Sequence, residues 1–110
     1  MAAIDYLELF DESIAAGGRV QSLPFDCATA RTVQVTLATG PLSDAVEWRV
    51  LFGPVSNGGF AAARSGTFEH FHHLGIDVPV FGPQVMVDVE NRGASPFLML
   101  GMIRIVHEFE

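Results

Sequence analysis

Val46-Glu47-Trp48-Arg49-Val50-Leu51-Phe52 decides the class of fold. Val46, Trp48, Val50 and Phe52 fall on every second residue, with Glu47 and Arg49 between them. A period of two places alternate side chains on opposite faces of a strand, one buried and one wetter. Gly53-Pro54 follows and breaks the pattern, as a turn does. The same alternation recurs outward from this stretch. Val33, Val35 and Leu37 alternate with Gln34 and Thr36, and Val85, Val87 and Val89 alternate with Met86, Asp88 and Glu90. A long last strand is expected from Phe97 to about Phe109, and shorter ones at Val20–Phe25, Phe60–Arg64, Thr67–His72 and Val78–Phe81.

Gly17-Gly18, Gly40-Pro41, Asn57-Gly58-Gly59 and Gly82-Pro83 supply further turn chemistry, and Asn91–Pro96 reads as a hairpin loop between the last two strands. The first segment has two readings. Ile4, Leu7, Phe10 and Ile14 have helical spacing, with Gly17 as a C-cap. The alternative is a strand through Ile4–Phe10 followed by a turn, favoured because the rest of the chain is β. The expectation is an all-β fold, a single antiparallel β-sandwich over residues 1–110 with seven or eight strands. In strand number and length it resembles small jelly-roll modules.

With 110 residues the chain has the length of one domain. Hydrophobic residues make up 49% and charged residues 17%, the latter against about 25% in ordinary globular proteins, so the chain collapses rather than stays disordered. No apolar run of 18 residues offers a membrane-spanning helix. A single cysteine, Cys27, excludes a disulfide scaffold within the chain and fits a reducing compartment. The net charge is −7, and all six basic residues are arginines spread singly along the sequence. Nucleic acid and anionic membrane are therefore not expected partners, since both select clustered cations. Acidic residues gather instead near the N-terminus at Asp5, Glu8, Asp11 and Glu12, as a solvated face. Met1–Glu8 lacks the basic and apolar regions of a secretory signal. The protein is expected to be made in the cytoplasm and to leave a cell only as part of a larger particle such as a virion.

Few residues offer chemistry. In Glu69-His70-Phe71-His72-His73, His70 and His72 share one face of a strand about 7 Å apart, a spacing that suits two imidazoles on one metal ion. The pair resembles the H-x-H of the cupin family. That resemblance implies a metal site, but the family also supplies a glutamate a few residues on and a later histidine. Here the sequence continues His73-Leu74-Gly75-Ile76-Asp77, leaving Asp77 or His107 to stand in. The favoured reading has no metal and no cofactor, with the histidines at a strand end near a subunit contact. Cys27 is expected to be an inert buried thiol, and Asp88 and Glu90 exposed acids on one strand face. A glycosidase would need two carboxyls across a cleft. Carbohydrate binding is the alternative function. Sugars stack on Trp and Tyr rings, and with Trp48 among core valines, Tyr6 is the platform left.

The apolar excess is the main clue. In the last strand Phe97, Met99, Gly101, Ile103 and Ile105 share one face, and Leu98, Leu100, Met102, Arg104 and Val106 share the other. A two-layer sandwich buries one face of each strand. Leu98, Leu100 and Met102 therefore form a patch that marks an interface, unless loops cover the strand. Burying roughly 500 Å² there contributes on the order of 12 kcal/mol before association costs. Phe68 and Phe71 are a second candidate contact. By character this small, acidic, sparsely charged sandwich resembles the decoration or cement proteins of virus and phage capsids. That implies a non-enzymatic homo-oligomer, often a trimer in such proteins, docked on a larger protein assembly.

Overall fold

A computed structural model describes residues 2–39, 45–69 and 73–108, and among them all regular structure is β. The strands in chain order are β1 (Ala2–Ile14), β2 (Arg19–Gln21), β3 (Phe25–Asp26), β4 (Ala30–Thr39), β5 (Ala45–Gly53), β6 (Ala61–Glu69), β7 (His73–Pro79), β8 (Gln84–Asn91) and β9 (Phe97–Glu108). They form two antiparallel sheets. Sheet A has the order β1-β9-β4-β7 and sheet B the order β2-β8-β5-β6, with β3 also paired to β8.

Both β2 and β3 lie along β8, so they act as one strand interrupted at Ser22-Leu23-Pro24. Counted so, the nine segments become eight strands, within the expected range. The pairs are nested: β5 with β6, β4 with β7, β2/β3 with β8, β1 with β9. A single long hairpin rolled over on itself produces this order, which is the jelly roll. The contacts that decide it are far apart in sequence, Ala2 opposite Glu108 being the extreme.

The core lies between the sheets and follows the alternation residue by residue. Val33, Val35, Leu37, Met99, Ile103 and Ile105 of sheet A meet Val46, Trp48, Val50, Val85, Val87 and Val89 of sheet B. The Trp48 ring lies over Gly66 of β6, where a Cβ would come 2.6 Å from the indole Cζ2.

Four details differ from the expectation. Val78–Phe81 is not a strand of its own; β7 begins at His73 and ends at Pro79. The first segment is the favoured strand, but it continues to Ile14 in place of a turn after Phe10, and its helix-like spacing has a cause. A bulge between Glu8 and Phe10 shifts the pairing with β9, so Leu9 and Phe10 are both buried and the alternation changes phase. Phe60–Arg64 and Thr67–His72 are not two strands; β6 runs through Ser65-Gly66 without a break. Asn91–Pro96 is not a hairpin loop, because β8 belongs to sheet B and β9 to sheet A. It is an arch between the layers. The Asn91 amide donates to the carbonyls of Ile14 (3.2 Å) and Ser95 (2.8 Å), while its oxygen accepts from the Gly93 N–H (2.9 Å). Turn residues serve a hairpin and an arch equally, so composition does not distinguish them.

Candidate contact surface

On β9 the inward residues are buried, and the outward Leu98, Leu100 and Met102 are 49%, 45% and 44% exposed. The strand sits inside sheet A, with β1 on one side and β4 on the other. Leu100 lies between Asp11 and Ala38, Met102 between Glu8 and Thr36, and Leu98 beside Ser13. These flanking side chains are short or charged, and none folds over the stripe. Further along, Arg104 lies between Tyr6 and Gln34, with its guanidinium carbon 6.0 Å from the centre of the Tyr6 ring. Exposed Ile4, opposite Val106, extends the apolar surface to the end of the sheet.

The bulge shapes one border of this surface. Gly101 leaves room for it: a Cβ there would come within 3.0 Å of both Phe10 Cδ2 and Leu37 Cδ2. A shallow hollow of about 220 Å³ results, with Phe10 and Gly101 at its floor, Leu100 and Met102 on one side, and Glu8 and Asp11 on the other. The apolar stripe is therefore edged by carboxylates.

The outer face of sheet B is built differently. Asp88 is fully buried although it points away from the core, which corrects its expected exposure. Arg19 Nε (2.6 Å) and Gln21 Nε2 (2.8 Å) donate to one carboxylate oxygen, and Arg49 Nη1 (3.2 Å) donates to the other. Arg49 also pairs with Glu47 and Glu90, and Arg92 with Glu47. The hydrogen bond and charge of Asp88 hold the Arg19 guanidinium above its ordinary pKa. Three arginines and three carboxylates neutralise one another over this face.

The remaining candidates fall as follows. Phe68 pairs with Val46 in the backbone register of β6, and nothing is described of its side chain. Phe71, His70 and His72 lie outside the described residues. Asp77 is exposed on β7. His107 is held at the far end of β9 by Thr29 (2.7 Å to Nδ1) and Asp5 (2.9 Å to Nε2). Among the described residues no group of three metal-capable side chains converges. Cys27 is buried, donates to the Gly82 carbonyl at 3.2 Å, and is pushed up to about 11 by burial and then by the charge of Asp26. Trp48 is buried, so Tyr6 is the aromatic ring free to meet a sugar on this surface. The Asp88 cluster, the Gly101 clearance and the arch at Asn91 were not read from the sequence. Each joins residues that are distant in the chain.

No family model matches the sequence, and no curated protein matches it. Solved structures share its fold. A chain of the Bacillus endospore appendages, disulfide-linked pili, aligns with a TM-score of 0.69 at 13% identity, covering 99% of this chain and 89% of that one. The PBSX exported protein XepA aligns at 0.74 and 9% identity over 96% of this chain, which spans 38% of XepA. The PRD1 vertex protein P5 aligns at 0.58 and 10% identity, covering 99% and 96%. The architectural resemblance to virion sandwich modules is thus present at the level of the fold. A Yersinia pseudotuberculosis-derived mitogen is matched as well, so the sandwich alone does not specify a role. No helix among the described residues is long and apolar enough to cross a membrane.

Proposed function

We propose that the chain is a non-enzymatic structural subunit, one that assembles with copies of itself and docks on a larger protein particle such as a viral or phage capsid. One observation carries the reading: the stripe of Leu98, Leu100 and Met102 stays exposed in the middle of sheet A, where a monomer has no use for it. Pilus and vertex proteins among the structures of similar fold support a place in an assembly. Decoration proteins of the kind the sequence resembles are often trimers, and a trimer is one order the mass would identify. Light scattering on the purified protein across a concentration series tests the first step. The expected mass is a multiple of 11.9 kDa; a monodisperse single protomer at the highest concentration would overturn the proposal.

A further inference from the structure

Sheet B carries a knob at one edge and a hole at the other. The knob is Leu23, which is 76% exposed in the break between β2 and β3 and is the most exposed large apolar residue described. The hole is an apolar hollow of about 340 Å³ beside the opposite edge strand, lined by Phe52, Val55, Ala61, Ala62, Ala63 and Phe81. Its rim is fixed. Phe81, 71% exposed, packs edge-on against Phe52 with ring centres 6.1 Å apart. The alanines of β6 make it a depression rather than a ridge, and at this volume it has room for a leucine side chain.

The register places knob and hole at the same level of the sheet. Phe25 stands opposite Val85, Val85 opposite Phe52, and Phe52 opposite Ala61. Three residues further along β8 and β5, Gln21 stands opposite Asp88, Asp88 opposite Arg49, and Arg49 opposite Ser65. Leu23 lies between Gln21 and Phe25, so across the sheet it is level with Ala62 and Ala63. Strand direction fits as well. With four strands in antiparallel order, β2 and β6 run oppositely, so β2 of a copy set alongside β6 would lie antiparallel to it. A sideways displacement by one sheet width, about 20 Å at the usual strand spacing, brings Leu23 of one copy to the hollow of the next.

We infer that the hollow at the β6 edge receives Leu23 of a second copy of this chain. The contact is head-to-tail, because knob and hole lie on different edges and every copy has both. Such contacts continue from copy to copy and close into a ring when a rotation accompanies each step. The inference rests on the structural-subunit reading, but it uses sheet B edges and not the Leu98-Leu100-Met102 stripe.

Disulfide trapping in the full chain tests it. The double variant Leu23→Cys, Ala62→Cys is oxidised and run on a non-reducing gel, with buried Cys27 left in place. The expected result is covalent species of three or more copies. An equimolar mixture of the two single variants should stop at dimers, and each single variant alone should give none in excess of wild type. The double variant is also read in a Leu100→Glu background, which removes the stripe contact; the larger species should persist there. If light scattering shows wild type to be oligomeric and the oxidised double variant gives no species beyond dimer, this contact is overturned and the subunit reading is left standing. A monomeric wild type that also fails to cross-link would overturn both. Leu23→Cys alone dimerising as well as the mixture would also overturn it, since that outcome marks a two-fold contact. Leu23→Glu gives a check without cysteines: it should lower the average mass, and an unchanged mass counts against the inference.

Discussion

The outer faces of the two sheets begin from the same alternating pattern and end in opposite states. On sheet B, strands β5 and β8 send Glu47, Arg49, Asp88 and Glu90 outward, and Arg19, Gln21 and Arg92 close over them. The charges are balanced within the face, and Asp88 is sealed from water. On sheet A, β9 sends out Leu98, Leu100 and Met102, and the neighbouring strands offer Thr36, Ala38, Glu8 and Asp11, which cannot cover them. One face satisfies itself and the other leaves apolar area in water. The difference shows that an outward position alone says little about exposure or use. What matters is whether cross-strand neighbours supply partners.

The largest effect is expected at the self-contained face. Asp88→Ala removes the acceptor shared by Arg19, Gln21 and Arg49 and leaves a partly buried guanidinium without its main partner. A loss of about 3 kcal/mol of folding stability is expected in urea titration, the lower end of the range for breaking a buried ion pair, since Arg19 is half in water. A loss under ~0.5 kcal/mol would mean that the network is ornamental. Next comes Gly66→Ala in the core behind that face. The new methyl meets the Trp48 ring, and a loss of about 2 kcal/mol is expected from overpacking, with a shift in tryptophan fluorescence. Unchanged emission and stability would show that the indole has room to move.

The smallest effect concerns Cys27. Its folded pKa, about 11, stands above the ordinary 9.0 because burial disfavours the thiolate. The sign follows: the thiol form is favoured in the fold, its contribution to stability is complete below about pH 9, and it is lost as pH rises toward 11. Iodoacetamide should therefore label the folded protein slowly at pH 8 and the urea-unfolded chain readily. Equal rates in both states would contradict the buried site.

How much of this was legible in the sequence depends on the range of the interaction. Strand class and the inward sets, Val46-Trp48-Val50-Phe52 above all, were readable because alternation is local. So was the exposure of Leu98, Leu100 and Met102, since it follows from the phase of one strand. The arch at Asn91 was not, because its partners Ile14 and Gly18 lie more than seventy residues away. The bulge at Leu9 gave the first segment a helical reading beside the favoured strand, by imitating a helical period. Asp88 read as an exposed acid because nothing nearby in sequence announces that Arg19 and Gln21 will reach it.

The contrast between the two faces is tested most directly by sedimentation equilibrium on two single substitutions that each add a carboxylate to an outer face. Leu100→Glu alters the stripe of sheet A, and Gln84→Glu alters the outer face of sheet B on the inner strand β8, at neither the Leu23 edge nor the Ala61–Ala63 hollow. Leu100→Glu should leave folding stability within about 0.5 kcal/mol, as for most surface changes. Its average mass should fall well below that of wild type, while Gln84→Glu keeps the wild-type mass. Equal masses for wild type, Leu100→Glu and Gln84→Glu would contradict the assignment of the stripe as a contact surface.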